Sequence, residues 1–95
     1  MSAAPIRLYF IYMEGCPACM EAKPHLKRWE AKARGVQVVR VDLMNTNWVN
    51  PWQPEATPTY VVEMPGRPRV MHEGALTETQ IDQLIRKAQT MMGVR

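Results

Sequence analysis

Ile6-Arg7-Leu8-Tyr9-Phe10-Ile11-Tyr12-Met13-Glu14-Gly15-Cys16-Pro17-Ala18-Cys19 is the stretch from which the rest of the chain can be read. Ile6 to Met13 is β-rich and apolar on both alternations, with Arg7 as its charged interruption. A strand of that kind is covered on both faces and belongs in the interior of a sheet. Gly15-Cys16-Pro17 breaks it. From Pro17 to Arg34 the apolar residues Ala22, Leu26, Trp29 and Ala33 return at spacings of four, three and four, which is one face of a helix. Pro17 suits the first turn, where its missing N–H is no loss, and Gly35 suits the left-handed residue that closes a helix. Pro24 falls inside this helix and is expected to kink it.

Working outward, Val36 to Leu43 is a second β-branched run, and its position after a helix marks a parallel β-α-β unit with a right-handed crossover. Met44 to Thr57, with its Asn, Pro and Trp residues, reads as a loop or short helix. Thr59 to Met64 and Arg67 to Glu73 flank Pro65-Gly66 and predict an antiparallel hairpin. Pro68 has no N–H for a ladder, so the last strand is expected at a sheet edge. Thr77 and Gln80 have capping-box spacing, and Ile81, Leu84, Ile85, Ala88 and Met92 form the apolar face of a closing helix. The fold class is α/β: a four-stranded mixed sheet in the order β-α-β-(loop or short helix)-β-β-α, with helices packed on the sheet. Ligands of such sheets gather at the carboxyl ends of the parallel strands.

Composition narrows the function. Ninety-five residues predict a single domain spanning residues 1–95. At 46% hydrophobic and 22% charged, the chain is an ordinary globular one rather than collagen-like, disulfide-dense or disordered. Its net charge of +3 is spread along the sequence, without the clustered basic stripe or motifs of nucleic-acid binders, so no nucleic-acid partner is expected. The longest apolar run, Leu8 to Met13, has six residues against the roughly twenty that span a bilayer, so no membrane partner is expected either. The first residues carry no secretory pattern, and the expected location is cytoplasmic. There, two cysteines serve redox or metal chemistry more often than structural bridging.

Cys16-Pro17-Ala18-Cys19 sits where the first strand gives way to the helix. Cys16 falls at or next to the N-cap, where free N–H groups and the positive end of the helix dipole stabilise a thiolate; Cys19 lies further in. Cys16 is therefore the expected nucleophile and Cys19 the resolving thiol. Thiolate attack on a substrate disulfide gives a mixed disulfide, which Cys19 displaces to leave a Cys16–Cys19 bridge. A zinc site completed by His25 and His72 would match a Cys2His2 set by count. Spacing opposes it, since six helical residues from Cys19 to His25 are about 600° of rotation. No metal is expected.

These residues resemble the thioredoxin and glutaredoxin superfamily over nearly the whole chain: Cys16-Pro17-Ala18-Cys19, the helix proline Pro24, Ala56-Thr57-Pro58-Thr59 and Gly74-Ala75-Leu76-Thr77. The resemblance implies a thioredoxin-like fold. It also implies a cis Pro58 facing the active-site loop of Gly15, Pro17 and Ala18, and a substrate strand bound through the backbone of Thr57. Gly15-Cys16-Pro17 is similar to the glutaredoxin run, whereas Pro24 and Gly74-Ala75-Leu76-Thr77 are similar to thioredoxin. Phe10 and Val38 stand where thioredoxins carry a buried Asp and its Lys partner, leaving water, Asp42 or the substrate to take the Cys19 proton. Glu14, Thr57 and Ala75-Leu76 depart from the glutathione-binding pattern. An acid at Glu14 also raises the pKa of a neighbouring thiol, so Cys16 is expected to be moderately acidic and the pair reducing.

The resemblance thus implies a thiol–disulfide oxidoreductase that reduces protein disulfides. It implies a monomer with no bound cofactor, taking electrons from a separate thioredoxin reductase or from glutathione. The alternatives are a glutathione-dependent glutaredoxin and an interaction module whose cysteines do not turn over. The remaining residues have plainer readings. Met64, Met71, Met91 and Met92 are filler for strands and the last helix, while Met13 and Met20 are near enough to the cysteines to contact substrate. Trp48 and Trp52 form a lid over the core edge, and Asp42, Asn45 and Asn47 are turn and cap residues. His25 and His72 are surface residues without partners, and Lys23, Lys27, Arg28, Glu30 and Lys32 are a solvated helix face.

Overall fold

The first strand, β1 (Ile6–Tyr12), is an interior strand because apolar residues occupy both of its alternations. Helix α1 (Pro17–Lys32), β2 (Val36–Asp42), β3 (Thr59–Glu63), β4 (Val70–Glu73) and α2 (Glu78–Met91) follow in that order. The computed structural model describes residues 6–44, 56–64, 66 and 69–91. The expectations for Asn45, Asn47, Trp48, Trp52, Pro65, Arg67, Pro68, Met92 and the Met91 side chain lie outside the described residues. The four strands form one sheet in the order β2-β1-β3-β4. β1 pairs with β2 in parallel from Ile6↔Val36 to Tyr12↔Asp42. It pairs with β3 antiparallel through Phe10↔Tyr60, and β3 pairs with β4 antiparallel.

Strand periodicity sorts the core into two layers. Leu8 and Phe10 of β1 and Tyr60 and Val62 of β3 face Ala22, Leu26 and Trp29 of α1 and Ile81, Leu84, Ile85 and Ala88 of α2. Both helices thus cover the same face of the sheet. Ile11, Val41 and Val61 form a second buried cluster on the opposite face, with Tyr9, Val39 and Leu43 packed against it. The Tyr60 hydroxyl accepts a hydrogen bond from the Leu76 N–H at 3.2 Å, which ties the approach to α2 onto β3. Burial pushes the Tyr60 phenol above its ordinary pKa, opposed by that same bond.

Element ends differ from the sequence-based expectation for local reasons. β1 stops at Tyr12 because the Met13 carbonyl turns to accept the Cys16 N–H. Helix α1 stops at Lys32 rather than Arg34: Ala33 takes an extended ψ of 150°, and its N–H still bonds back to Trp29 and Glu30. Gly35, at φ +74°, then redirects the chain rather than capping the helix, and its carbonyl receives the Ile6 N–H at the start of the sheet. Helix α1 runs without interruption through Pro24, which is exposed. β4 begins at Val70, opposite Val62. Met71 is 41% exposed on this edge strand and is not core filler.

Two further corrections concern charge. His25 has a partner on α2, and Arg28 and Lys32 reach α2 while remaining exposed on the solvated face. His25 Nδ1 accepts from the Glu78 N–H at 3.3 Å and lies 3.0 Å from Arg28 Nη2. The Glu78 carboxylate meets Lys32 Nζ at 2.7 Å and Arg28 Nε at 3.4 Å. Glu30 pairs with Arg40 of β2 at 2.8 Å, and Lys23 lies over the Tyr12 ring at 4.2 Å. The capping box closes as its spacing predicts, with Thr77 N–H to Gln80 Oε1 at 2.9 Å and Gln80 N–H to Thr77 Oγ1 at 3.2 Å.

The Lys32 hydrogen bond, aided by Arg28, holds the Glu78 carboxyl below the ordinary carboxylate range. A carboxyl depressed in the folded state contributes stability above its unfolded pKa and loses it as pH falls through the folded one. Thermal melts of Glu78→Gln are therefore expected to show a shallower fall in melting temperature than the parent chain as pH drops through and below the ordinary Glu range. Equal slopes would remove this ion pair from the acid response.

Candidate active site

The site forms where three chain segments meet at one end of the sheet. β1 and β2 run parallel and end there, and β3 begins there because it is antiparallel to β1. Thr59, the first residue of β3, pairs with Ile11, so the preceding Thr57-Pro58 arrives beside the turn that follows β1. The Thr57–Pro58 peptide bond is cis. The Thr59 hydroxyl donates to the Ala56 carbonyl at 2.6 Å, and the Gly74 N–H donates to the Pro58 carbonyl at 2.9 Å, so the segment is held from both sides.

The turn after β1 places Cys16 at the N-cap of α1, with extended backbone at φ −84° and ψ 110°. Gly15 precedes it at φ +78°, a conformation that strains any residue with a Cβ. Pro17 opens the helix, and the Cys16 carbonyl receives the Met20 N–H, its first regular bond. Cys16 and Cys19 are joined as a disulfide, with Cα atoms 5.2 Å apart. Cys16 is half-buried, whereas Cys19 is 0% exposed beneath the helix.

The electrostatics converge on one atom. The Cys19 N–H, an orphan donor of the first helical turn, points at Cys16 Sγ at 3.1 Å. The Thr57 hydroxyl donates to the same sulfur at 3.4 Å, and the Thr57 carbonyl oxygen lies 3.6 Å from it. Two donors and the positive end of a helix dipole around a sulfur favour its anionic form. The structure therefore brings Gly15, Cys16, Pro17, Ala18, Cys19, Thr57 and Pro58 into one place.

Other candidates lie apart or are otherwise engaged. Asp42 Oδ1 accepts the Met44 N–H at 3.0 Å, a turn role. The His72 ring is tilted against Tyr60 at 6.3 Å, and His25 serves α2. Phe10 is fully buried. Among the described residues, no group of three or more His, Cys, Asp or Glu side chains could hold a metal ion, and no helix is long and apolar enough to cross a membrane. A cavity of about 760 Å³ between α1 and α2 is lined by Trp29, Lys32, Asp82 and Arg86, with no contribution from the cysteine site. Met20 is 65% exposed on the turn that carries Cys19. The sequence pattern points to a backbone role for Thr57 and misses its hydroxyl; the available signal is threonine where the glutaredoxin pattern has valine.

No family model matches the sequence. Solved structures do resemble it. A thioredoxin from Fasciola hepatica superposes with a TM-score of 0.77 at 20% identity, covering 90% of this chain and 83% of its own. Chloroplastic thioredoxin z gives a TM-score of 0.76 at 22% identity, over 92% of this chain and 80% of its own. Mitochondrial thioredoxin 3 of Saccharomyces cerevisiae, in its oxidised form, gives 0.75 at 22% identity, over 86% and 77%. These likenesses establish the architecture: four strands in the order β2-β1-β3-β4 with two helices make a thioredoxin fold.

Proposed function

We propose that this thioredoxin-fold chain is a thiol–disulfide oxidoreductase that reduces disulfides in other proteins, with Cys16 as nucleophile and Cys19 as resolving thiol. The observation that carries the reading is the asymmetry of the pair: a half-buried Cys16 sulfur facing two hydrogen-bond donors, and a fully buried Cys19 close enough to bond with it. In the reduced protein the Cys16 thiolate attacks a substrate sulfur. One substrate thiolate leaves, and a mixed disulfide forms. Cys19 then gives up its proton and attacks Cys16 Sγ, releasing the second substrate thiol and closing the Cys16–Cys19 bridge. One substrate disulfide gains two electrons and the protein loses the same. The Cys19 proton goes to the second substrate sulfur. The first leaves as a thiolate that takes from solvent a proton equivalent to the one Cys16 gave up on ionising.

Thr57 and Pro58 bind the substrate backbone in this reading, with Gly15, Pro17 and Ala18 shaping the loop. The chain works as a single-domain, monomeric carrier in the cytoplasm, without a bound cofactor. A separate thioredoxin reductase or glutathione reduces the bridge again, since the sequence has no nucleotide-binding glycine motif.

Insulin reduction tests the reading and identifies the electron donor. Turnover supported by a thioredoxin reductase and NADPH is expected, at a rate well above that of the reductant alone. Turnover with glutathione and its reductase but not with thioredoxin reductase would make the protein a glutaredoxin. Absence of turnover with either couple, and with dithiothreitol, would leave an interaction module.

A further inference from the structure

Resolution of a mixed disulfide needs Cys19 as a thiolate, yet Cys19 is 0% exposed, and burial disfavours an anion. Few ionisable groups surround this end of α1. Besides Cys16 on the same turn, Tyr12 ends β1, and Asp42 stands in register with it on β2 and caps the Met44 N–H. Glu14 and Glu21 are exposed, and β3 arrives with Pro58 and Thr59. The acids of α2 meet the far half of α1, Glu78 at Arg28 and Lys32 and Asp82 at Trp29.

Lys23 is differently placed. It follows Cys19 by four residues, which is about 40° round the helix and about 6 Å along its axis. Helical side chains lean toward the N-terminus, so Lys23 leans back toward Cys19. It is half-buried, with Nζ held 4.2 Å over the Tyr12 ring, and that ring is stacked on buried Phe10 at 6.0 Å. None of the ion pairs among the described residues includes it. An aromatic face fixes this cation without neutralising it.

We propose that Lys23 is a positioning residue for the resolving step: its ammonium, held on Tyr12, stabilises the Cys19 thiolate that attacks Cys16 Sγ. The inference rests on the oxidoreductase reading and adds a residue to it. In that step Cys19 gives up its proton and bonds to Cys16 Sγ. The bond from Cys16 to substrate breaks, and the substrate sulfur leaves with the electron pair. Lys23 takes no part in the proton transfer; its charge lowers the cost of the anion. Cys16 is about 10 Å from Lys23 along the axis, beyond the roughly 8 Å screening length at physiological salt, so the effect falls on the second sulfur.

The test mixes the reduced full chain with excess dithiobis-nitrobenzoate in a stopped-flow cell. A first coloured thiolate is released when Cys16 attacks and a second when Cys19 resolves the adduct, so one trace reads both steps. Lys23→Arg, Lys23→Met and Lys23→Glu are compared across pH, and circular dichroism melts confirm that each is folded. With methionine the pH midpoint of the second phase is expected to rise by about one unit. Below both midpoints that phase is expected to slow about threefold, since a tenfold loss of thiolate is partly offset by its greater nucleophilicity. Arginine keeps the charge and stacks on aromatic rings, so it should stay near the parent chain, while glutamate should be slower than methionine. The first phase is expected to change by less than about twofold throughout.

An unchanged second phase in a folded methionine variant would overturn the inference, and Lys23→Gln decides the matter if methionine does not fold. So would rates that do not follow the charge, or a first phase slowed as much as the second. A lysine that only packs on Tyr12 would lower the melting temperature and leave the pH profile in place, which also counts against it. The reagent reacts with the thiols whether or not the chain reduces proteins. Insulin reduction by the parent chain tests the oxidoreductase reading separately, so failure of one is distinguishable from failure of the other.

Discussion

Cys16→Ser is expected to abolish disulfide reduction, leaving no turnover above the reductant background, whereas Cys19→Ser is expected to halt the reaction one step later with substrate covalently attached. The difference follows from the placement of the two sulfurs. Cys16 Sγ sits at the helix N-cap, half-buried, with the Cys19 N–H at 3.1 Å and the Thr57 hydroxyl at 3.4 Å. A serine hydroxyl there has no comparable anion at neutral pH, so no mixed disulfide forms. Cys19 is fully buried and reaches substrate only through Cys16. With Cys19→Ser the first attack proceeds and the second does not, and non-reducing electrophoresis should show the trapped adduct. Reduction surviving in Cys16→Ser, or adducts accumulating on Cys19 instead, would reverse the assignment.

Phe10→Ala is expected to have the largest effect on stability. Phe10 is 0% exposed in the interior strand β1, its ring 6.0 Å from Tyr12 and at a steep angle to Tyr60 at 5.3 Å. It packs with Leu26 and Ile81 in the cluster under both helices. Truncating a buried Phe costs roughly 3–5 kcal/mol through lost transfer energy and the cavity left behind. Small domains have a total of about 5–15 kcal/mol, so the variant should be near its unfolding threshold. Urea denaturation should show a much lower midpoint at a similar slope. A loss below about 1 kcal/mol would mean that the surrounding side chains close the gap.

Features carried by neighbours along the chain are legible in the sequence itself. The cysteine spacing, the helix start at Pro17, the Thr77/Gln80 cap and the interior position of β1 depend on local chemistry and periodicity, and each is present in the fold. Features created by docking one element on another are not legible in this way. His25 receives the N–H of Glu78, 53 residues away, and nothing in the spacing of either residue indicates the contact. Arg28 and Lys32 read as solvated because their positions on α1 are polar, yet α2 brings Glu78 to them. The Thr57 hydroxyl is a case between the two. The threonine-proline pattern marks its residue, but its direction toward sulfur depends on the β1–β3 register.

That register means the site has an order of assembly. Cys16 and Thr57 are 41 positions apart and meet when β3 lies down beside β1. A chain whose first strand and helix have formed already owns both thiols and the helix donor, but lacks the residue that faces the sulfur. On the oxidoreductase reading, such a chain holds a cysteine activated by its helix alone, without the Thr57-Pro58 segment proposed to bind substrate. Reactivity thus precedes selectivity, and the two join only when the sheet is complete.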